Sequence, residues 1–206
     1  DIQEVCEGEP IQDIIYDLSN TPIAISVEGL PLGIFYTFNG TQLIISGFPT
    51  DDISSQQNFT YTIETIGQDC DNSVTGEITV NPDDEIVLTS AVGSDNQIVC
   101  ENLEIDDIVY ELQGGSLGAT VTGLPTGVSY NLDDTTGVLL LTISGIPTID
   151  LGINTYVITT FGLCSAIEIT GTIEVLPAIT ITHDPVSGPT SQVLCQNTEI
   201  DPEIVF

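Results

Sequence analysis

The sequence predicts an all-β chain built from tandem two-sheet Greek-key sandwiches, and three observations carry that expectation. Val, Ile and Thr dominate in runs that alternate apolar and polar residues, and no stretch supports a helix longer than a turn or two. Gly and Pro punctuate the chain about every six to twelve residues, the spacing of short strands joined by tight turns. The chain also repeats itself. The stretch from Gln97 to Tyr130 (QIVCENLEIDDIVYELQGGSLGATVTGLPTGVSY) is echoed from Gln3 (QEVCEGEPIQDIIY) and begins again at Gln192 (QVLCQNTEIDPEIVF). Cys6 precedes Cys100 by 94 residues, Cys70 precedes Cys164 by 94, and Cys100 precedes Cys195 by 95. Such a period is too long for a solenoid repeat and suits a whole small domain.

In the first repeat the pattern predicts strands at Asp13 to Leu18, Ala24 to Val27, Ile34 to Phe38, Gln42 to Ser46, Phe59 to Ile66 and Val74 to Val80. The run from Tyr61 to Ile66 alternates cleanly, with Tyr61, Ile63 and Thr65 on one face and Thr62, Glu64 and Ile66 on the other. Each repeat ends in a matching segment, Gly76 to Pro82 and Gly171 to Pro177, followed by an apolar run at Ile86 to Leu88 or Ile179 to Ile181 that reads as the next domain's first strand. The expected division is residues 1–82 (a repeat lacking its first strand), 83–177 (a complete repeat) and 178–206 (the start of a third). With linkers of only a few residues, neighbouring domains are expected to touch.

The chain carries 31 Asp and Glu, no Lys or Arg, and a net charge of −31. Nucleic acid and anionic lipid are therefore excluded as partners, because both are held by cationic side chains. A mutually repelling, solvated surface is the simple reading. Without Lys, a Lys–Asn isopeptide cross-link cannot form. No apolar run approaches the ~20 residues of a membrane helix, so membrane insertion is not expected. There is no basic region followed by an apolar one at the start, and the chain begins and ends within a repeat; it is read as an excerpt of something longer.

Two turn motifs recur: Gly29-Leu30-Pro31-Leu32-Gly33 with Gly123-Leu124-Pro125-Thr126-Gly127, and Ser46-Gly47-Phe48-Pro49-Thr50 with Ser144-Gly145-Ile146-Pro147-Thr148. Their order, followed by a Tyr-bearing alternating strand, resembles bacterial Ig-like repeats. With a Cys ahead of Ile-x-x-Ile-x-Tyr and a second Cys further on, it resembles more narrowly the repeats of very large Bacteroidota surface adhesins of the gliding-motility, SprB type. That resemblance implies tandem Ig-like domains, export by the type IX system and a place outside the bacterial cell, on its outer-membrane surface. It implies a shaft that projects a binding tip toward a polysaccharide or other surface ligand, the neighbouring repeats being the direct partners.

Five cysteines at periodic positions, two per repeat, read as a disulfide framework. Equal spacing invites Cys6–Cys70 and Cys100–Cys164 within repeats. Against this, in a seven-stranded Ig-like sandwich Cys100 sits at the turn after the first strand, at the lower end, while Cys164 lies in the hairpin at the upper end. Strands of ~8 residues separate those ends by ~25 Å, whereas a disulfide needs Cα atoms within ~7 Å. The favoured expectation is Cys6–Cys164 across the junction, with Cys70, Cys100 and Cys195 paired outside the chain; the intra-repeat pairing remains the alternative. Asp83, Asp84 and Glu85 in the first linker are weak Ca²⁺ candidates. The second linker, Pro177-Ala178-Ile179, has no carboxylate, so an ion at every junction is not expected, nor is any other cofactor.

No catalytic constellation is apparent. His183, the sole histidine, reads as a turn residue, and adjacent carboxylates on an acidic surface do not define a cleft. Tyr16 and Tyr110 occupy equivalent positions and read as core or corner residues. Gly29, Gly33, Gly47, Gly123, Gly127 and Gly145, with Pro31, Pro49, Pro125 and Pro147, read as turn formers. The alternative function, repeats that themselves bind a polysaccharide or another cell, predicts an exposed aromatic cluster on one face of each repeat.

Overall fold

A computed structural model describes residues 2–19, 22–67 and 71–179. Among these there is no helix, and fifteen strands form two sandwiches in succession. The first contains β1 (Ile2–Cys6), β2 (Ile14–Asp17), β3 (Ala24–Glu28), β4 (Ile34–Phe38), β5 (Gln42–Gly47), β6 (Gln57–Ile66) and β7 (Asn72–Asn81). One sheet has the order β1-β7-β6-β3 and faces a second of order β2-β5-β4. The second sandwich contains β8 (Asp84–Leu88), β9 (Asn96–Cys100), β10 (Ile108–Gly114), β11 (Ser116–Thr122), β12 (Val128–Asp133), β13 (Leu139–Gly145), β14 (Gly152–Gly162) and β15 (Glu168–Leu176). Its sheets have the orders β12-β13-β10-β8 and β11-β14-β15-β9. The Ig-like topology inferred from the strand pattern is present in both.

The two cores use equivalent residues. Ile34, Leu43, Ile45, Tyr61, Ile63, Ile78 and Val80 are buried in the first, and Val128, Leu141, Ile143, Tyr156, Ile158, Ile173 and Val175 in the second. Each such fully buried side chain contributes roughly 1.5–3 kcal/mol through area removed from water. On β6 the predicted alternation holds: Tyr61 and Ile63 face the core while Glu64 and Ile66 face solvent.

One element differs from the sequence reading. A single first strand ending in a turn at Cys100 is expected, but the structure divides that segment between the sheets. β8 pairs antiparallel with β10, the chain crosses over, and β9 pairs in parallel with β15 from Thr172–Asn96 to Leu176–Cys100. The cysteine therefore ends a strand. The same holds at Cys6, opposite Asn81 at the end of the parallel β1–β7 pair. Five-residue edge strands held by a parallel partner have no hairpin turn to mark them, which is why the pattern of turns did not disclose them.

Candidate functional site

The residues singled out from the sequence converge on one place, the junction between the sandwiches. Cys6 leaves the lower end of the first and is bonded to Cys164, which lies between β14 and β15 at the upper end of the second. The Cα atoms are 5.7 Å apart, inside the range a disulfide spans. This bond excludes both intra-repeat alternatives: Cys6 is not available to Cys70, nor Cys164 to Cys100. Cys6 Sγ also lies 3.7 Å from the Leu163 carbonyl oxygen and Cys164 Sγ 3.8 Å from that of Asn81. With both sulfurs bonded, these are packing contacts and not hydrogen bonds.

The turn motifs build the floor on which Cys6 stands. Glu7 N donates to the Asn81 carbonyl at 3.0 Å, Gly8 N to that of Pro49 at 2.8 Å and Ile11 N to that of Gly47 at 2.9 Å. The second repeat reproduces this pattern: Glu101 N donates to Leu176 O, Asn102 N to Pro147 O and Ile105 N to Gly145 O. Gly47 has φ +122°, and a Cβ there would collide with the carbonyl oxygen of Gly33. The two motifs thus pack backbone to backbone, a closer approach than a turn alone requires. Asn81 is buried and fully engaged, its amide donating to Glu4 Oε1 at 2.8 Å and accepting from Gln56 at 2.7 Å.

The linker is seated rather than free. Gly115 N donates to the Asp83 carbonyl at 3.0 Å. A Cβ at Gly114 would meet the Asp83 carbonyl oxygen, one at Gly115 that of Pro82, and one at Gly162 the Asp84 carboxylate. Three glycines therefore line the seat into which Pro82 to Asp84 fit. Asp84 is 2% exposed. Its Oδ2 accepts from Thr160 Oγ1 at 2.7 Å, while Oδ1 has no hydrogen-bond partner. Thr160 Oγ1 in turn accepts from Ile167 N at 2.8 Å, so the linker carboxylate braces the hairpin that carries Cys164. Nothing in the spacing of Gly114, Gly115, Thr160 and Gly162 signalled this seat; the adjacent glycines after β10 were the one available cue.

Of the three linker acids proposed for calcium, Asp84 is turned into the second sandwich, while Asp83 and Glu85 are exposed. Among the described residues no three His, Cys, Asp or Glu side chains come together in a metal-holding group. Negative charge does gather here. Partial burial, then the Asp52, Asp83 and Asp51 carboxylates, hold the Glu7 carboxyl above the usual carboxylate range.

Cys100, at the position equivalent to Cys6, is a free, partly buried thiol. Cys70, Cys195 and His183 lie outside the described residues, as does nearly all of the expected third repeat. Tyr16 and Tyr110 are core-facing residues. Each meets a second tyrosine, with hydroxyl separations of 2.8 Å for Tyr16–Tyr61 and 3.4 Å for Tyr110–Tyr156. Burial pushes the Tyr61 and Tyr156 hydroxyls well above the ordinary phenol range.

No protein-family model matches the sequence, and no curated protein does. Solved structures match by shape. A three-Ig-domain fragment of titin carrying Glu-to-Ala changes aligns with TM-score 0.53 at 10% identity, over 91% of this chain and 68% of that one. The first two domains of Rst align with TM-score 0.52 at 12% identity, over 84% of this chain and 95% of that one. Identities this low speak to fold alone, and the fold agrees with the strand order: this chain is a tandem array of Ig-like β-sandwich domains.

Proposed function

We propose that the chain is a load-bearing section of the shaft of a long extracellular adhesin on a bacterial cell surface, of the gliding-motility type exported by the type IX system. The observation that carries this reading is the Cys6–Cys164 bond, which joins one domain covalently to the next where a flexible tether would suffice for mere connection. Structural disulfides persist in oxidising surroundings outside the cytosol. A net charge of −31 with no cation keeps parallel shafts apart and the surface solvated. In this reading the repeats have no catalytic role and need no cofactor, their direct partners are neighbouring repeats, and Cys100 is bonded to the hairpin cysteine of a following repeat as Cys6 is to Cys164.

The binding-module alternative calls for an exposed aromatic cluster on each repeat. Phe35 and Phe48 are 56% and 52% exposed in the first repeat, but their counterparts in the second are Ser129 and Ile146. Among the described residues, the one exposed aromatic pair the repeats share is Tyr36 and Tyr130, each 38% exposed; a single tyrosine per repeat is not a cluster, and this favours the shaft.

Antibodies raised against the oxidised chain test the proposal on intact source cells. Labelling without permeabilisation, together with loss of surface attachment or gliding in a deletion strain, is the expected result. Labelling only after permeabilisation would overturn it.

A further inference from the structure

The disulfide closes a loop with a sequence separation of 158 residues, and this determines which parts of the chain can carry tension. A pulled polymer transmits force along its shortest covalent path. A segment closed off by a cross-link cannot lengthen that path, however completely it unfolds. When force is applied before β1 and after β15, the path enters Cys6 along β1, crosses the sulfur bridge to Cys164, and leaves along β15. Residues 7–163, which include β2 to β14 and nearly all of both cores, lie off it. We propose that Cys6–Cys164 is a mechanical bypass that makes the two-domain section nearly inextensible and keeps its cores out of the line of load.

The segments left on the path suit that role. β1 runs toward the junction and ends at Cys6, beside the last residue of β7. β15 begins just after the Cys164 hairpin and runs away from the junction, ending at Leu176 beside Cys100. Both are strands aligned with the direction of pull. A strand already rises ~3.3 Å per residue, against at most ~3.6 Å for a fully stretched chain, so neither has appreciable length to give. β15 is also held on both sides, by β14 and by β9. The only slack between the sulfur bridge and β15 is the short turn from Cys164 to Ile167. The inference deepens the load-bearing reading and takes its purpose from it, but its geometry stands on the bond alone.

The test is single-molecule extension of the full chain held at its two ends, oxidised and then reduced in place after folding, with Cys164→Ser as a second, permanently open form. Reduction should release domain-sized steps of about 25–30 nm, one for each sandwich of roughly 80–95 residues. In the oxidised chain those steps should vanish, leaving a gain of only a few nanometres from β1, β15 and the turn before it. Any contribution from residues beyond 179 is common to both states and cancels in the difference. Domain-sized steps that persist while non-reducing peptide mapping confirms Cys6–Cys164 would overturn the bypass, as would mapping that finds Cys164 bonded elsewhere. Loss of the steps in a protein never found on the cell surface would remove the adhesin reading and leave the bypass standing.

Discussion

Reduction of Cys6–Cys164 should do more than lower stability: it should uncouple the two domains. If the first domain unfolds while the second stays folded, the bond closes a loop of about 77 residues, from Cys6 to Asp83; if the second unfolds alone, the loop is about 80 residues, from Asp84 to Cys164. Chain-entropy arithmetic assigns about 4.5 kcal/mol to either loop, and only about 5 kcal/mol to the loop of about 158 residues left when both unfold. The first domain to open therefore bears nearly the whole cost and the second adds only about 0.6 kcal/mol. The difference is a coupling of about 4 kcal/mol, enough to merge two melting transitions into one. Calorimetry of the oxidised chain should show a single transition with a van't Hoff to calorimetric ratio near one. Under reductant, or in Cys164→Ser, it should split, with each component about 10–20 °C lower for a realised loss of ~2–4 kcal/mol. Cys100→Ser should change nothing in this 206-residue chain, in which that thiol is free. Two separate transitions in the oxidised chain, one of them indifferent to reductant, would refute the reasoning.

Other outcomes follow from the same structure. Gly171→Ala puts a methyl into the Tyr156 hydroxyl and the Asp95 carbonyl; overpacking of this kind costs roughly 1–3 kcal/mol, and a melting temperature unchanged within 2 °C would contradict the contact. Asp84→Ala leaves the Thr160 hydroxyl without its buried acceptor and should destabilise the second domain by roughly 1–3 kcal/mol, measurable by urea titration. Glu7, with its folded pKa raised from 4.5, is penalised at neutral pH and relieved as pH falls toward that value. Asp133 and Asp150, lowered from 3.8 by the Thr135 and Thr126 amides, contribute above that value and lose their contribution as pH falls through the lowered one. Stability should therefore rise slightly from pH 7 toward pH 5 and fall in stronger acid, with Glu7→Gln reducing the rise. Added salt should raise the melting temperature, with Ca²⁺ and Mg²⁺ equivalent at matched ionic strength; a saturable shift specific to Ca²⁺ would restore Asp83 and Glu85 as ligands.

What the sequence made legible was whatever repeats or alternates. Period-two runs located β4 from Ile34 to Phe38 to the residue, because edge turns at Gly33 and Asn39 bracket it. The cross-junction bond was the favoured of two pairings, since strand length separates the two ends of one Ig-like sandwich. β1 and β9 were hidden because a parallel edge strand is defined by a partner some seventy-five residues away, Gln3 by Ile78 and Gln97 by Ile173. Gly76 and Gly171 were visible as part of a matching segment, but not their purpose. Each is small because a buried tyrosine ring, Tyr61 or Tyr156, lies against it, and that contact belongs to packing across paired strands. The burial of Asp84 was hidden for a related reason. An acid among acids looks solvated until the glycines that enclose it are placed.

Two devices tie the domains together at this junction, and the sequence separates the one that recurs whole from the one that recurs only in part. The seat for the linker needs Asp84, Thr160 and the glycines at 114, 115 and 162. In the first repeat Thr65 and Gly67 stand where the second has Thr160 and Gly162, but Asn20 and Thr21 replace Gly114 and Gly115, and the second linker carries Ile179 where the first has Asp84. The seat is thus only partly repeated: its paired glycines and its buried carboxylate belong to this one junction. The cysteines recur at every equivalent position, as do the turn motifs that form the floor beneath Cys6 and Cys100. An array that needed only short linkers could let its cysteines drift, while one that relied on seated linkers would repeat the whole seat, its paired glycines and carboxylate included. Retaining the thiols while varying the seat assigns axial strength to the covalent bond and leaves local contacts to set the angle between neighbours. Exchanging the seat residues should accordingly change the bend between domains, read as a shift in the maximum dimension by small-angle scattering. The force response of the oxidised chain should stay the same. A gain in extensibility on mutating Asp84 alone would show that the bond does not bear the load.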